Sequence, residues 1–283
     1  MNPMVTGKAI ASLRKEAGYT QASLAEVLGI SDKAVSKWER GLACPDISLL
    51  PKLSVLLDTD IECLLHGESI SRGGKWKGVL ILDGLACERV YSKPMVYLLL
   101  QNFLLVGIKD ILIIGGAVDE LLGTGNQYGV TFQYIKGTLS NALLKNDSYT
   151  QTNTIIIFGN VLIYGANLTR KYQSLMYHLD YAAHLKTDAG ELLPIIFCTK
   201  KQWDNVSGKI QYWENAQDML TDMHPIEREF TRGVIALPMN DKDQILTASR
   251  FVQIIEQVER REIANIEEIA ISRGLKKRRR EEN

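Results

Sequence analysis

The sequence lacks the features that mark membrane, secreted or metal-binding proteins. Even the apolar stretch 96–106 is interrupted by Gln101 and Asn102, so no run reaches the roughly 18 residues that span a bilayer. The first fifteen residues do not show the charged start, apolar block and cleavage site of a secretory signal. The four cysteines form no C-x-x-C pair, which argues against a zinc site and a disulfide framework. We therefore expect a cytoplasmic protein with no membrane contact, no metal and no cofactor.

An excess of charge is also lacking. The 33 Lys and Arg residues balance 33 Asp and Glu residues, so bulk charge does not indicate a nucleic-acid partner. Any basic surface must be local, and residues 1–40 do carry six basic residues against four acidic ones. The hydrophobic fraction of 46% and the length of 283 residues predict a folded protein of about two domains.

A polar segment separates two differently patterned regions. Residues 66–76, HGESISRGGKW, contain three glycines and are typical of a domain linker. Short helical segments precede it, whereas strand-length apolar runs alternate with longer helical stretches after it, which predicts an α/β domain with a largely parallel sheet. The predicted parts are an all-α domain at 1–68, a linker at 69–76, an α/β domain at 77–275 and a basic tail at 276–283.

The first domain is predicted to contain five short helices. Thr20 and Ser31 are the expected N-caps of the second and third helices, and Gly29 supplies the left-handed residue of the turn between them. The apolar spacing of the second helix predicts that Val27 faces the core. Two short helices joined by a Gly-containing turn can lay the second of them, here 31–40, across the major groove of DNA.

The segment 13–41, LRKEAGYTQASLAEVLGISDKAVSKWERG, closely resembles the Cro/C1-type (Xre-family) helix-turn-helix. The resemblance covers residues 4 to about 66, and it implies a double-stranded DNA operator as partner and an internal ion pair between Arg14 and Glu39. Arg40 joins the predicted contacts because it lies on the outer face of the same helix. The predicted DNA-contacting residues are Gln21, Ser31, Asp32, Lys33, Ser36, Lys37 and Arg40.

Two alternatives remain within this set. Asp32 either accepts a hydrogen bond from a cytosine amino group or serves only the positive end of the helix dipole. The three basic residues Lys33, Lys37 and Arg40 either contact DNA, which we prefer, or form a solvated helix face.

Residues 77–275 resemble the sugar-phosphate nucleotidyltransferases of the glucose-1-phosphate thymidylyltransferase type. KGVLILDG is similar to the first strand of that family and IIIFGNVLIYGANL to its central strand, which implies a nucleotide-binding, Rossmann-like sheet. The family cradles its triphosphate in a Gly-rich loop. In the corresponding segment, DGLACERVYSKPM, Gly84 and Arg89 are retained, but Leu85 and Cys87 stand where glycines are expected.

The other catalytic motifs of that family are altered as well. The resemblance implies Gly-Asp-Asn at 159–161, with the Asp holding magnesium, but the central residue here is Asn160. Residues 235–238, which match the family's second metal-binding segment, contain no acid, and 136–138 replace a base-contacting Gln-Pro. Since three parts of one site are changed, we expect a pseudo-nucleotidyltransferase without catalysis.

A ligand pocket is still expected in this domain, formed by Gly84, Arg89, Tyr128 and Asn160, although these residues are equally explained as surface or core-edge positions. The resulting hypothesis is a regulator whose second domain dimerises it, senses a sugar nucleotide or a related metabolite, or does both. The alternatives are an active nucleotidyltransferase that regulates its own operon, and a scaffold for a genuine nucleotidyltransferase. The tail 276–280 is either solvated or contacts DNA phosphates.

Overall fold

The structure is a computed structural model that describes residues 2–57, 59, 61–66, 76–165, 168–187, 189–229 and 233–276. The chain divides into two compact units near residue 72. The predicted linker and tail lie outside the described residues, except for Trp76 and Lys276. Within the described part, the first unit contains the helices α1 (Pro3–Glu16), α2 (Gln21–Leu28), α3 (Asp32–Glu39), α4 (Leu50–Leu56) and α5 (Ile61–His66).

Local capping interactions fix where α2 and α3 begin. The Thr20 hydroxyl accepts from the Ser23 N–H at 3.0 Å, and the Ser23 hydroxyl accepts from the Thr20 N–H at 2.8 Å, which is a capping box. The Ser31 hydroxyl accepts from the Ala34 N–H at 3.3 Å. Gly29 has a φ of 73°, in the left-handed region. The predicted caps and turn are therefore confirmed.

All five helices of the first unit contribute side chains to its core. The prediction for Val27 is wrong, because this side chain is 42% exposed while Leu24, Ala25 and Leu28 are buried. At about 100° per residue, the buried arc of α2 runs from Leu24 to Ala25, and Val27 lies outside it. The backbones of α1 and α3 touch, since a Cβ at Gly7 would lie 1.9 Å from the Trp38 carbonyl oxygen.

An ion pair inside the first unit joins α1 to α3. Arg14 Nε lies 2.5 Å from Glu39 Oε1, and the two side chains are only 9% and 8% exposed. Arg14 also donates through Nη2 to Glu39 Oε2 and through Nη1 to the Tyr19 carbonyl oxygen. Burial alone would raise the pKa of Glu39, but hydrogen bonds from Arg14 and Gln21 outweigh it and leave this pKa below its ordinary value. The predicted ion pair is confirmed.

The second unit is built on a twisted central sheet. Its seven described strands follow the order β10-β8-β9-β6-β1-β4-β5; β1 is parallel to β4 and β6, β4 to β5 and β8 to β10, whereas β9 is antiparallel to β6 and β8. The pairs β7–β11 and β2–β3 form two small antiparallel sheets. The strands are β1 (Trp76–Ile81), β2 (Arg89–Val90), β3 (Lys93–Pro94), β4 (Asp110–Ile114), β5 (Thr131–Ile135), β6 (Asn153–Ile157), β7 (Val161–Gly165), β8 (Ala182–Lys186), β9 (Leu192–Cys198), β10 (Ile226–Glu229) and β11 (Val234–Pro238).

Helices cover this sheet and set the position of its loops. The helices are α6 (Met95–Leu104), α7 (Asp119–Leu122), α8 (Leu139–Lys145), α9 (Leu168–His178), α10 (Lys200–Val206), α11 (Ala216–Met223), α12 (Lys242–Glu259) and α13 (Ile266–Ser272). One apolar cluster joins the central strands to α8, α10 and α11, and another joins α6 and α12 to β7. The carboxyl ends of the parallel strands β1, β4 and β6 therefore meet at one edge, where ligand sites of such sheets form. Among the described residues, no helix is both long and apolar enough to cross a membrane.

The ion pair predicts a pH-dependent stability of the first unit. Replacing Glu39 with Gln leaves a largely buried guanidinium without its counter-charge, so we expect α1–α3 to lose about 1–3 kcal/mol of stability at pH 7. The folded pKa of Glu39 is lowered, so its stabilisation is present above the unfolded pKa of about 4.3 and is lost as the pH falls through the folded value.

The measurement is urea unfolding of the full chain, followed by hydrogen-exchange mass spectrometry of peptides from α1–α3. The difference in the free energy of unfolding between wild type and Glu39→Gln should become smaller as the pH is lowered from 7 to 3. Glu26→Gln is the control, because Glu26 is exposed on α2. A stability difference that is independent of pH would contradict the assigned role of the Glu39 charge.

Candidate functional site

The outer face of α3 carries the predicted DNA contacts. Successive residues are about 100° apart on a helix, so Asp32, Lys33, Ser36, Lys37 and Arg40 fall within roughly 140° of its circumference, opposite the buried apolar side chains. Both lysines and Arg40 are exposed. The ammonium groups of Lys33 and Lys37 have no hydrogen-bond or ion-pair partner in the described part of the chain. They are therefore two cations available to a ligand.

The other predicted residues on this helix have partners within the protein. Ser31 caps the helix through its hydroxyl. Asp32 Oδ1 accepts from the Lys33 N–H at 2.8 Å, which favours the helix-dipole interpretation of this carboxylate. Arg40 Nε donates to the Ser36 carbonyl oxygen at 3.3 Å.

Gln21 has a role that the sequence did not indicate. It is the first residue of α2, and its Nε2 donates to Glu39 Oε2 at 2.7 Å. The side chain is thereby tied to the same carboxylate that binds Arg14. Gln21, a predicted DNA-contacting residue, thus links α2 to α3. The same hydrogen bond holds its side-chain amide in a fixed orientation.

A cleft of about 560 Å³ opens at the edge of the central sheet, beyond β6. This volume is in the range of small-molecule sites. An adjoining cavity of about 370 Å³ shares Phe158 and Gln217 with it. The chemistry-bearing residues of the cleft include Phe158, Asn160, His184, Glu191, Glu227 and Asn240.

Asn160 is bonded to the loop that follows β1. Its side chain is 3% exposed, and its Nδ2 donates to Asp83 Oδ2 at 2.7 Å. The other carboxylate oxygen of Asp83 accepts from the Leu85 N–H at 2.8 Å. Asp83 is not among the predicted site residues, although an acid directly after a buried strand of a parallel sheet is typical of a ligand site.

In the loop 83–88, the backbone N–H groups of Leu85 and Glu88 are not available to bind a phosphate. The Leu85 N–H is bonded to Asp83, and the Glu88 N–H donates to the Leu85 carbonyl oxygen at 2.9 Å. Gly84 is exposed beside Asp83, whereas the Arg89 guanidinium donates to the Ser92 carbonyl oxygen within the β2–β3 hairpin. Arg89 lines neither of the two cavities.

Tyr128 does not reach this edge of the sheet. It lies in a short 3₁₀ turn that precedes β5, and therefore at the amino end of that strand. Burial, followed by its hydrogen bond with Tyr128, raises the pKa of Tyr97 to about 12. The grouping of Tyr128 with Asn160 is thus corrected, because residues before and after parallel strands lie at opposite edges. Of the four predicted pocket residues, Asn160 lines the cleft and Gly84 lies close to its partner.

The residues at this edge do not fit the magnesium ion that the resemblance implies. Magnesium is usually bound through carboxylates, but position 160 is an amide already bonded to Asp83. The segment 235–238 lies in β11 without an acid, and the next carboxylate, Asp241, caps α12 by accepting from the Gln244 N–H. The described residues contain no group of three or more His, Cys, Asp or Glu side chains arranged to hold a metal.

The hydrogen bond between Asn160 and Asp83 predicts that the loop 83–88 is held in place by the edge of the sheet. Replacing Asn160 with Ala removes a buried donor and frees the loop, which should cost the second unit about 1 kcal/mol and speed hydrogen exchange at residues 84–88. Asn240→Ala, at an exposed position in the same cleft, is the matched control. The measurement is hydrogen-exchange mass spectrometry of the full chain. Equal exchange rates of residues 84–88 in the two variants would contradict this role of the hydrogen bond.

Comparison with known proteins separates the two units. The helix-turn-helix family model matches residues 10–62. The HTH-type transcriptional regulator ImmR of Bacillus subtilis is 38% identical over 69 residues, which are 24% of this chain and 54% of that protein. A glucose-1-phosphate thymidylyltransferase of Neisseria gonorrhoeae is 32% identical over 91 residues, 29% of this chain and 32% of the enzyme. The chain therefore matches about a third of the length of such an enzyme.

The similarity in fold extends further than the similarity in sequence. A structure described as a glucose-1-phosphate thymidylyltransferase from Bacillus anthracis superimposes with a TM-score of 0.50, covering 62% of this chain and 94% of that one. At 16% identity this likeness concerns the fold alone. The chain consists of a Cro/C1-type helix-turn-helix domain followed by an α/β domain with the nucleotidyltransferase fold.

Proposed function

We propose that the protein is a sequence-specific DNA-binding transcription regulator whose second domain binds a small sugar-type ligand, holds two copies together and does not catalyse nucleotidyl transfer. The observation that carries the DNA-binding part is the outer face of α3. There, Lys33 and Lys37 have no partner within the described residues, at the position where a helix-turn-helix meets the major groove.

The geometry of this face supports contact with both phosphates and bases. Lys33 and Lys37 are one turn apart, so their ammonium groups can donate to neighbouring phosphates or to purine acceptors. The network of Arg14, Glu39 and Gln21 fixes α2 against α3, which lets the helix pair dock with little loss of conformational freedom.

The proposed dimer follows from the size of the DNA-binding domain. A single small helix-turn-helix offers few contacts, whereas two of them bind half-sites about 34 Å apart. We assign the dimer contacts to the larger second domain, as expected from the sequence.

The proposal of a non-catalytic second domain is supported by the charges of its cavities. Neither Lys nor Arg is among the described residues that line the cleft or the adjoining cavity. A triphosphate would meet no lining cation there, and the Leu85 and Glu88 amides of the loop are already bonded within the protein. The alternative, an active nucleotidyltransferase that regulates its own operon, requires these groups to rearrange.

Operator binding should depend on the two free lysines of α3. Lys37→Ala is expected to weaken binding by about 1–3 kcal/mol, since a charged donor to a base or phosphate is lost. The operator is obtained by selection from random DNA, and affinity is measured by fluorescence anisotropy at fixed salt. Lys242→Ala removes the same charge from an exposed position on α12 in the second domain and should leave affinity unchanged. Equal affinities of the two variants would refute the assigned interface.

Nucleotidyl transfer should be absent. With magnesium, each nucleoside triphosphate and a set of sugar 1-phosphates, we expect no pyrophosphate release above background, since the cavities lack cations and position 160 lacks a carboxylate. A dilution series of an authentic thymidylyltransferase sets the detection limit. If the wild-type protein releases pyrophosphate and the Asn160→Ala variant does not, the alternative of an active enzyme is established.

A further inference from the structure

Two buried side chains offer hydrogen-bond acceptors to a ligand in the cleft, beside the exposed amides of Gln217 and Asn240. Asn160 is buried to 97% and lines the cleft, and its Nδ2 is used by Asp83. Its carbonyl oxygen Oδ1 has no donor among the described residues, yet it is not sealed away from solvent. This oxygen is therefore an acceptor that remains available on the wall of the cleft.

His184 adds a second acceptor. Its Nε2 lies 2.7 Å from the Leu193 carbonyl oxygen, which can only accept, so Nε2 carries the proton. Burial lowers the pKa of His184, outweighing the opposing effects of the Leu193 carbonyl and the Glu227 charge, and keeps the ring neutral at pH 7. The unprotonated Nδ1 has no partner within the described part of the chain. Phe158 packs 5.9 Å from this ring and contributes an apolar wall.

The charged side chains that line the cleft and the adjoining cavity are carboxylates, and one of them is neutralised by a lysine. Glu191 and Glu227 line it, and Glu214 lines the adjoining cavity. Lys186, next to the cleft, is paired with Glu227 at 3.2 Å. A phosphate group would thus approach carboxylates with no unpaired lining cation, which is unfavourable, whereas ammonium and hydroxyl groups would find acceptors.

We propose that the cleft binds a phosphate-free ligand rich in hydrogen-bond donors, of the class of amino sugars, and excludes sugar phosphates and sugar nucleotides. This inference rests on the proposed function, because it specifies which ligand the second domain senses. It departs from the sugar nucleotide that the sequence resemblance suggests. The difference arises from the acceptor groups of Asn160 and His184 and from Glu191, which has no ion-pair partner among the described residues.

The test titrates the full chain with glucosamine, glucose and glucose 1-phosphate by ligand-observed NMR at millimolar concentrations. Glucosamine is expected to bind most tightly and glucose 1-phosphate least, by about tenfold, because like charges meet in the cleft. Glu191→Gln keeps the shape of an exposed side chain but removes its charge, and should narrow this ratio several-fold. Glu268→Gln, on the exposed face of α13, is the control and should leave the ratio unchanged.

Tighter binding of glucose 1-phosphate than of glucosamine would overturn the inference, as would no binding of any of the three probes or an unchanged ratio in Glu191→Gln. Operator affinity of the same preparation is measured in parallel. If it is retained while the sugar preference fails, the ligand class is wrong and the DNA-binding proposal stands. If glucosamine binds but no operator is selected, the ligand class stands and the proposed regulator does not.

Discussion

The position of α3 depends on one buried carboxylate. Glu39 accepts from Arg14 of α1 and from Gln21 of α2, while Arg14 also donates to the Tyr19 carbonyl oxygen between these helices. A planar guanidinium satisfies both carboxylate oxygens only in a narrow range of orientations, so the three helices are fixed together. The close approach at Gly7 adds a steric limit on the same side. The direction in which Lys33 and Lys37 point is a consequence of this network.

The second domain uses a similar device with a different result. Asp83 binds the Leu85 N–H and the Asn160 amide, so it closes the loop after β1 onto the sheet edge. In a phosphate-binding loop, backbone amides must point towards the ligand. Here the exposed carboxylate of Asp83 takes one of them and places negative charge at the edge of the sheet. This arrangement supports the proposal that the second domain keeps the fold without nucleotidyl transfer.

Features set by local sequence were predictable from the residues themselves, whereas a long-range contact such as Arg14–Glu39 was predictable only through a family resemblance. The caps at Thr20 and Ser31 depend on residues three positions away, and periodicity was enough to predict them. The Asn160–Asp83 bond joins residues 77 positions apart, and no spacing rule indicates it. The grouping of Tyr128 with Asn160 overlooked chain order, since Tyr128 precedes its strand whereas Asn160 follows one. The prediction for Val27 was wrong because apolar spacing alone did not show that the buried arc of α2 is limited to Leu24, Ala25 and Leu28.

The construction of the cleft bears on how a ligand could alter DNA binding. A ligand shifts an equilibrium only by its difference in affinity between two states, and typical couplings of about 1–3 kcal/mol correspond to roughly 5- to 150-fold. Asn160 follows β6, His184 lies on β8 and Glu227 lies on β10. A single ligand would therefore contact three different strands of the sheet. Shifts of these strands relative to one another would change the surface through which the proposed dimer forms. In the proposed dimer, two half-sites are bound only when both copies are joined, so a change in the dimer constant would change operator affinity.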